Sequence, residues 1–256
     1  FKHFGSSVIS MPLASIDEVF REVESQAAHY GVVPIENSTE GMVHHTLDMF
    51  RQSDLKICGE VELRIHQHLL AAEGVDLDAV SKIYSHQQSL AQCRRWLDAR
   101  YPTVERIAVS SNAEAAKRAA AEKGQNAVAI AGEMAAELYQ LKIVAETIED
   151  QPDNTTRFLV VGHPLSGPSG KDKTSMLISA RNKPGALYHL LEPFHRHGIS
   201  LTRLETRPSG TATWGYIFYI DCEGHFKDAP IQAVMKELAD EALELKLLGS
   251  YPQAVL

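Results

Sequence analysis

A segment rich in proline, glycine and serine, residues 163–173, divides the chain into two parts with different apolar patterns. Because this composition favours turns over regular structure, the segment is predicted to be a linker. Before it, short apolar strands alternate with helical stretches, which predicts an α/β sandwich with a largely parallel sheet. A length of 256 residues suits two domains, and we therefore predict one on each side of the linker.

The part after the linker reads as strand, helix, strand, strand, helix, strand. Its first helix places Leu187, Leu190, Leu191 and Phe194 along one side. Both helices carry a single apolar stripe, so each is predicted to cover one face of a four-stranded antiparallel sheet in a ferredoxin-like fold. One such unit leaves an exposed sheet edge, and we expect a homodimer or homotetramer in which edges pair.

Charge and composition narrow the function classes. Lys and Arg number 25 against 33 Asp and Glu, so the net charge of −8 disfavours nucleic acid and anionic membrane surfaces as partners. No apolar run approaches the ~18–20 residues of a membrane span. The three cysteines, Cys58, Cys93 and Cys222, are odd in number and far apart, which favours a reducing, cytoplasmic location without disulfides.

A first polar segment, residues 34–41, directly follows a predicted strand. In open α/β sheets ligands bind at strand ends, and Asn37, Ser38 and Thr39 can donate hydrogen bonds to an anion there. The same residues also suit a plain capping turn.

Two further polar segments stand at strand ends. Ser85 and His86 begin a helix, where a hydroxyl and helix amides suit a carboxylate; a bare cap and a surface histidine are the alternative. Arg157 follows Thr155 and Thr156, a combination that suits bidentate recognition of a carboxylate. Its alternative is an arginine solvated at a strand end.

The C-terminal part carries a pattern that suits a free amino acid. The helix-start amides at Gly185–Leu187 can bind a carboxylate, and residues 205–210 place Glu205 and Arg207 after a strand. The alternative is a surface pair of these two charges, contributing ~0–1 kcal/mol.

No pattern in the sequence predicts a metal or an organic cofactor. The histidine pairs lack the cysteine or acidic partners of a metal site, and neither a dinucleotide motif, a P-loop nor a nucleophile elbow occurs. These pairs are His44 and His45, His66 and His68, and His195 and His197.

Taken in order, the polar segments resemble those of the prephenate dehydratase family with a C-terminal ACT domain. The family's motifs match Pro34–Gly41, Ser85–Cys93, Thr156–Phe158, Gly185–Tyr188 and Glu205–Pro208. The match covers essentially the whole chain; Tyr188 and Thr206 replace the usual Val and Ser of the two ACT motifs. Residues 205–209 look most like the bifunctional type, which carries a chorismate mutase domain upstream.

The resemblance implies a two-lobed, periplasmic-binding-protein-like catalytic domain over residues 1–165, with its second lobe at about 71–140. A ferredoxin-like ACT domain is implied over residues 173–256. The family begins with a strand and a glycine-rich loop, whose helix is expected to end here at Phe1–Gly5. We therefore expect a segment upstream of Phe1.

The implied reaction converts prephenate to phenylpyruvate, carbon dioxide and water without a cofactor. By resemblance Thr156 donates the proton to the departing hydroxyl, with Glu36 or His86 as alternative acids, and Arg157 holds the pyruvyl carboxylate. Loops on both walls of the cleft are implied to bind substrate. The implied substrate-binding residues are Glu36, Asn37, Ser38, Thr39, Ser85, His86, Gln88, Asn154 and Phe158.

The ACT domain is implied to bind the product phenylalanine between subunits and to inhibit the reaction. The implied effector-binding residues are Gly185, Ala186, Leu187, Glu205, Thr206, Arg207 and Pro208. Two other functions stay open at this point: a non-catalytic amino-acid sensor, and an arogenate dehydratase, whose substrate has an amino group in place of the keto oxygen.

Overall fold

The computed structural model forms two compact units. One unit consists of Phe1–Leu63 together with Thr156–Leu256, and the other of Arg64–Thr155. The predicted second lobe, residues 71–140, lies within the latter. The structure describes residues 3–5, 7–39, 41–180, 183–209 and 215–254. Across these ranges, none of the helices has the length and apolar character that crossing a membrane requires.

The helices and strands follow the predicted alternation. Before residue 65 the elements are α1 (Ile16–Glu24), β1 (Tyr30–Asn37), β2 (Gly41–Met42), α2 (His44–Gln52) and β3 (Lys56–Arg64). The second unit contains β4 (His68–Ala71), β5 (Lys82–His86), α3 (Gln87–Gln92), α4 (Arg94–Arg100), β6 (Glu105–Val109), α5 (Asn112–Ala121), β7 (Ala127–Ala131), α6 (Glu133–Tyr139) and β8 (Lys142–Ala145). The chain continues with β9 (Thr155–Gly162), β10 (Asp172–Ala180), α7 (Ala186–Arg196), β11 (Leu201–Pro208), β12 (Tyr216–Glu223), α8 (Ala229–Glu241) and β13 (Glu244–Pro252).

The second unit is a mixed sheet between two helical layers. Its strand order is β6-β5-β7-β4-β8. Strand β5 runs parallel to β6 and β7, but β4 pairs antiparallel with both β7 and β8. The prediction of a largely parallel sheet is therefore wrong: helical crossovers join β5, β6 and β7 in parallel, whereas β4 enters between β7 and β8 in the opposite direction.

Helices cover this sheet on both faces. One face packs against α5 and α6 through a layer of alanines that includes Ala116 and Ala129, and the other packs against α3 and α4 through Leu97 and Ile130. The start of α5 is capped by Ser111, whose hydroxyl accepts from the backbone N–H of Glu114 at 3.1 Å.

The first unit contains two sheets. The first lobe has the order β2-β1-β9-β3, and the C-terminal sheet has the order β11-β12-β10-β13. All pairs of the C-terminal sheet are antiparallel, and its order with two intervening helices is the predicted ferredoxin-like arrangement.

Both helices of the C-terminal domain lie on the same face of its sheet. Leu190 and Val234 from α7 and α8 pack there with Ile220. The opposite face, through residues such as Tyr219 and Tyr251, shares a core with the first lobe. The predicted linker thus joins two domains that pack closely together inside one unit.

Candidate active site

Two neighbouring strands bring the first and third polar segments together. Strands β1 and β9 pair antiparallel, and the register places Asn37 opposite Thr156 and Glu36 opposite Arg157. Because side chains alternate between the faces of a strand, Asn37 and Thr156 share one face while Glu36 and Arg157 share the other. The threonine and the arginine of the same motif therefore point in opposite directions.

The side-chain amide of Asn37 holds the Thr156 hydroxyl. Nδ2 of Asn37 donates a hydrogen bond to Oγ1 of Thr156 at 2.8 Å. The other end of the amide, Oδ1, accepts from the backbone N–H of Thr39 at 2.9 Å, which fixes the orientation of the amide. Because Oγ1 accepts from Asn37, the hydroxyl proton of Thr156 points away from the Asn37 amide.

Three more predicted residues lie beside this pair. Ser38 and Thr39 are exposed in the turn after β1. Phe158 lies two residues beyond Thr156, on the same face of β9, opposite Pro34, and is half-buried. The first unit therefore brings together the predicted substrate-binding residues 37–39 and 158 with Thr156.

Arg157 is buried in a set of ion pairs on the opposite face of β9. Its Nε donates to Oε2 of Glu60 at 2.7 Å, and Nη1 and Nη2 donate to Oδ2 of Asp221 at 3.2 and 3.1 Å. Nη2 also donates to the Tyr251 hydroxyl at 3.1 Å. Since Asp221 and Tyr251 belong to the C-terminal sheet, these contacts join that sheet to the first lobe.

The charges around Arg157 shift the pKa values of its partners. Burial favours the neutral form of Glu60, but the Arg157 guanidinium and the Lys173 ammonium outweigh it and lower the pKa of Glu60 below its ordinary value. Nζ of Lys173 donates to Oε1 of Glu60 at 2.8 Å. Burial, followed by the nearby Asp221 carboxylate, raises the pKa of Tyr251. Tyr251 is therefore a neutral hydrogen-bonding partner of Arg157.

These contacts bear on the predicted role of Arg157 as the anchor of a substrate carboxylate. Strand alternation turns the guanidinium away from Thr156, and Glu60, Asp221 and Tyr251 occupy its donors. A buried guanidinium that is withdrawn from its carboxylates leaves them uncompensated, which is strongly unfavourable. The geometry therefore favours a structural role for Arg157 over the anchor.

Glu36, one of the two alternative acids, also faces the C-terminal sheet. Its carboxylate accepts from Nη2 of Arg203, and Nε of Arg203 lies 3.3 Å from Oδ2 of Asp221. Because this carboxylate is engaged by a guanidinium on the face opposite Thr156, the geometry favours Thr156 over Glu36 as the proton donor.

The second polar segment lies in the second unit, where Asn112 organises it. Oδ1 of Asn112 accepts from the backbone N–H of His86 at 3.1 Å, and Nδ2 donates to Oγ of Ser89 at 2.9 Å. Ser85 is fully buried, and its hydroxyl donates to the carbonyl oxygen of Ile130 at 2.8 Å. The predicted role of Ser85 as a substrate donor conflicts with this burial, because its hydroxyl already stabilises the sheet.

His86 and Gln88 form the start of α3. His86 is the N-cap residue, and its Nδ1 accepts from the backbone N–H of Gln88 at 3.4 Å. Both side chains are half-buried. The contact of Asn112 with this segment was not expected from the sequence; the available signal was an amide side chain directly after the capping Ser111.

Asn154 is buried and bonded within the second unit. Its Nδ2 donates to Oε1 of Gln92 at 3.3 Å, and its carbonyl oxygen accepts from the backbone N–H of Ile65 at 2.8 Å. Asn154 thus ties together the two chain segments that connect this unit to the first one. This contact suits a structural role beside the predicted substrate-binding role.

The predicted effector residues at the start of α7 adopt the backbone of a helix entry. Gly185 has φ +79°, which other residues rarely adopt, and it serves as the N-cap. The N–H of Ala186 donates to the carbonyl oxygen of Lys183 at 3.0 Å, so this amide does not point at an anion. Leu187 is among the exposed apolar residues of the domain.

The second effector segment lies on β11, and its charged side chains face the first lobe. Arg207 forms a bidentate pair with Asp48 of α2, with Nη2 2.9 Å from Oδ2. Glu205 Oε1 lies 3.6 Å from Nε2 of His44, also on α2. The intervening Thr206 and the following Pro208 are exposed. Of the four predicted effector residues on β11, only Thr206 and Pro208 therefore face away from the first lobe.

Neither metal chemistry nor disulfides mark the part of the chain that the structure describes. Within it, no group of three or more histidine, cysteine or acidic side chains is arranged to hold a metal ion. The three cysteines, Cys58, Cys93 and Cys222, are free thiols.

Two α/β lobes with a polar cluster around Thr156, followed by a ferredoxin-like sheet, are the arrangement of a two-lobed enzyme with a regulatory domain. The family model for prephenate dehydratase matches residues 1–165, and that for the ACT domain matches residues 174–240. The chain belongs to the prephenate dehydratase family. It is 62% identical over 255 residues to a bifunctional chorismate mutase/prephenate dehydratase of Stutzerimonas stutzeri, covering 100% of this chain and 69% of the relative.

Two solved structures resemble the chain over nearly its whole length. Prephenate dehydratase from Arthrobacter aurescens in complex with L-Phe has a TM-score of 0.86 at 33% identity, covering 94% of this chain and 80% of the other. A protein described as a quorum-quenching acylase has a TM-score of 0.88 at 28% identity, covering 98% of this chain and 92% of the other. The fold of the family thus confirms the predicted combination of a periplasmic-binding-protein-like domain and an ACT domain.

Proposed function

We propose that the chain catalyses the decarboxylating dehydration of prephenate to phenylpyruvate, with Thr156 as the proton donor and the ACT domain as the sensor of phenylalanine. The observation that carries the donor assignment is the oriented Asn37 amide, which donates to Oγ1 of Thr156. An oxygen that already accepts a hydrogen bond is better able to bear the negative charge that builds up as its proton leaves.

The reaction needs a proton at only one place. The ring hydroxyl departs as water when it takes the Thr156 proton, and the ring carboxylate departs as carbon dioxide. The electron pair of the broken carbon–carbon bond enters the ring, which becomes aromatic, and the threonine oxygen regains a proton from solvent. Because aromatisation supplies a large driving force, a weak acid that is well oriented is sufficient.

The keto-acid carboxylate of the substrate needs donors other than Arg157. The turn after β1 supports this role for the hydroxyl groups of Ser38 and Thr39, because they are exposed and follow directly after Asn37. The ring carboxylate is best left without a cation, since binding it tightly would stabilise the ground state and slow its loss.

The test compares Thr156→Ala, Thr156→Ser and a matched control, Thr155→Ala, which alters the neighbouring residue on the opposite face of β9. Loss of a general acid lowers kcat by about 10²- to 10⁴-fold. We expect that loss in Thr156→Ala with little change in KM, partial activity in Thr156→Ser, and near-normal turnover in the control. Turnover of Thr156→Ala within a few-fold of the natural chain would refute the donor assignment.

The ACT domain supports feedback regulation by phenylalanine, since a similar structure is described in complex with L-Phe. Inhibition requires that phenylalanine bind the less active state more tightly. Phenylalanine and a substrate analogue must then weaken each other's binding by the same factor, which titration calorimetry measures. Equal phenylalanine affinity with and without the analogue would exclude this coupling.

We also propose that the chain forms a homodimer or homotetramer and that it functions in a reducing, cytoplasmic environment. The exposed Tyr188, Leu204 and Tyr216 of the ACT domain support a subunit contact, and the free thiols support the reducing environment. Sedimentation at micromolar concentration tests the first, and a purely monomeric chain would contradict it. An upstream chorismate mutase domain stays a prediction.

Three other functions are an arogenate dehydratase, an amide hydrolase and a non-catalytic amino-acid sensor. One series of assays with prephenate, arogenate and an N-acyl amide as substrates distinguishes them. Arogenate differs only by an amino group, so comparable kcat/KM for both substrates would indicate a dual dehydratase. Amide hydrolysis is the activity suggested by the acylase likeness, but a hydroxyl nucleophile needs a base as its partner, whereas Thr156 receives a hydrogen bond from Asn37. Binding of phenylalanine without turnover of any substrate would favour the amino-acid sensor.

A further inference from the structure

A chain of alternating charges runs from the ACT sheet to the strands that carry Asn37 and Thr156. It contains three carboxylates and three cations, so the set is balanced when all are ionised. In spatial order the members are Glu36, Arg203, Asp221, Arg157, Glu60 and Lys173. We call this set the charge chain.

Asp221 is the central member of the charge chain. Its Oδ2 accepts from both Nη atoms of Arg157, at 3.1 and 3.2 Å, and lies 3.3 Å from Nε of Arg203. Its Oδ1 accepts from the Ser175 hydroxyl of the neighbouring strand β10. With 12% of the Asp221 side chain exposed and 17% of that of Arg203, the pairs are largely shielded from solvent. Asp221 thus holds the Arg157 guanidinium by hydrogen bonds and attracts the Arg203 guanidinium by its charge.

The guanidinium groups of Arg203 and Arg157 lie on the face of the β1–β9 pair that is opposite Asn37 and Thr156. We call this face the back and the face of Asn37 and Thr156 the front. Arg203 holds Glu36, and Asp221 holds Arg157, which is the cross-strand partner of Glu36. Asn37 and Thr156, the next pair along these strands, point to the front. A slip of one residue between β1 and β9 would separate the front pair, and the contacts at the back oppose such a slip together with the strand pairing itself.

We propose that Asp221 and Arg203 of the ACT domain are positioning residues for the dehydration: they hold Arg157 and Glu36 from behind and thereby align Asn37 with Thr156. This inference rests on the proposed function of Thr156. It makes the ACT sheet part of the support of the reacting hydroxyl, besides its role in sensing phenylalanine.

The test uses Asp221→Asn, which keeps the size of the side chain and removes its charge, and Arg203→Gln, which removes the cation between Asp221 and Glu36. Arg196→Gln is the matched control, because Arg196 is also ion-paired but lies on α7, away from the first lobe. Activity on prephenate is measured without phenylalanine and is divided by the folded fraction from circular dichroism.

Misplacement of a reacting group by about 1 Å can lower the rate by about 100-fold. We expect Asp221→Asn to lower kcat by about 10- to 100-fold and Arg203→Gln by a smaller factor in the same direction, with KM within about threefold and the control unchanged. A role in folding alone would reduce the folded fraction and leave kcat per folded molecule intact. Normal kcat per folded molecule in both variants would overturn the inference.

A double variant separates this inference from the proposed function. In a Thr156→Ala background, Asp221→Asn should have little further effect, because it acts through the hydroxyl that is already absent. If Thr156→Ala is fully active, the donor assignment fails. If Thr156→Ala is inactive and the two effects multiply independently, the donor assignment stands and the positioning role of Asp221 is refuted.

Discussion

Gly249→Ala should separate the ACT sheet from the first lobe, because no space exists for a side chain between β13 and β3. A Cβ atom at Gly249 would lie 2.2 Å from the carbonyl oxygen of Ile57, 2.8 Å from its nitrogen and 3.0 Å from its carbonyl carbon. All three are backbone atoms of β3, so no side-chain rotation can relieve the overlap. Gly249 is not among the glycines with positive φ, and alanine therefore brings no backbone strain of its own.

The magnitude follows from the distance. Ordinary contact begins near 3.5 Å, so one strand must move by about 1 Å. Overpacking a core in this way typically costs 1–3 kcal/mol, and the rigid backbone on the other side places this case at about 3 kcal/mol. For a chain of this size, each kcal/mol lowers Tm by about 2–4 °C, which gives a loss of roughly 6–12 °C.

Calorimetry and urea unfolding of Gly249→Ala measure this loss, and Gly167→Ala in the linker is the matched control. A Cβ at Gly167 meets nothing within 4 Å, so the control should stay within about 0.5 kcal/mol of the natural chain. A variant Gly249→Ala as stable as the control would refute the close approach of β13 to β3.

Three further predictions test individual contacts. Because the folded-state pKa of Glu60 is lowered, its contribution to stability is present above the ordinary glutamate pKa of about 4.3 and is lost as pH falls through the folded value. Glu60→Gln should therefore be less stable than the natural chain at pH 7 but lose less stability between pH 6 and pH 3, whereas Glu133→Gln, at an exposed position, should follow the natural chain. Identical curves of stability against pH for the two variants would contradict the ion pairing of Glu60. Asn112→Ala removes the partner of the His86 N–H and should lower the free energy of unfolding in urea by about 1–3 kcal/mol; an unchanged value would show that this contact is dispensable. Burial raises the pKa of the Cys93 and Cys222 thiols to about 12 each, so both should resist alkylation at pH 8 until the chain unfolds, and rapid native labelling would contradict their burial.

The candidate active site shows which of its features could be predicted from the sequence and which could not. The motif at Thr156–Phe158 was recognised from sequence, but its threonine and arginine were both assigned to the substrate. Strand periodicity alone places adjacent residues on opposite faces, and this signal was available once the motif was predicted to open a strand. The partners of Arg157 were not available, because Glu60 and Asp221 lie 97 and 64 residues away along the chain.

The amino-acid sequence by itself determined the local elements, the order of the domains and the family. Short-range apolar spacing, caps and turn residues decide elements such as strand β7 and helix α6. The unbroken apolar run Tyr216–Ile220 favours a strand that is covered on both faces, because such a strand needs no alternation with polar residues. Tertiary structure alone decided what covers the second face of the ACT sheet, how β4 enters its sheet, and which carboxylates surround Arg157. These outcomes depend on contacts between distant segments, and residue patterns within a single segment carry no information about their partners.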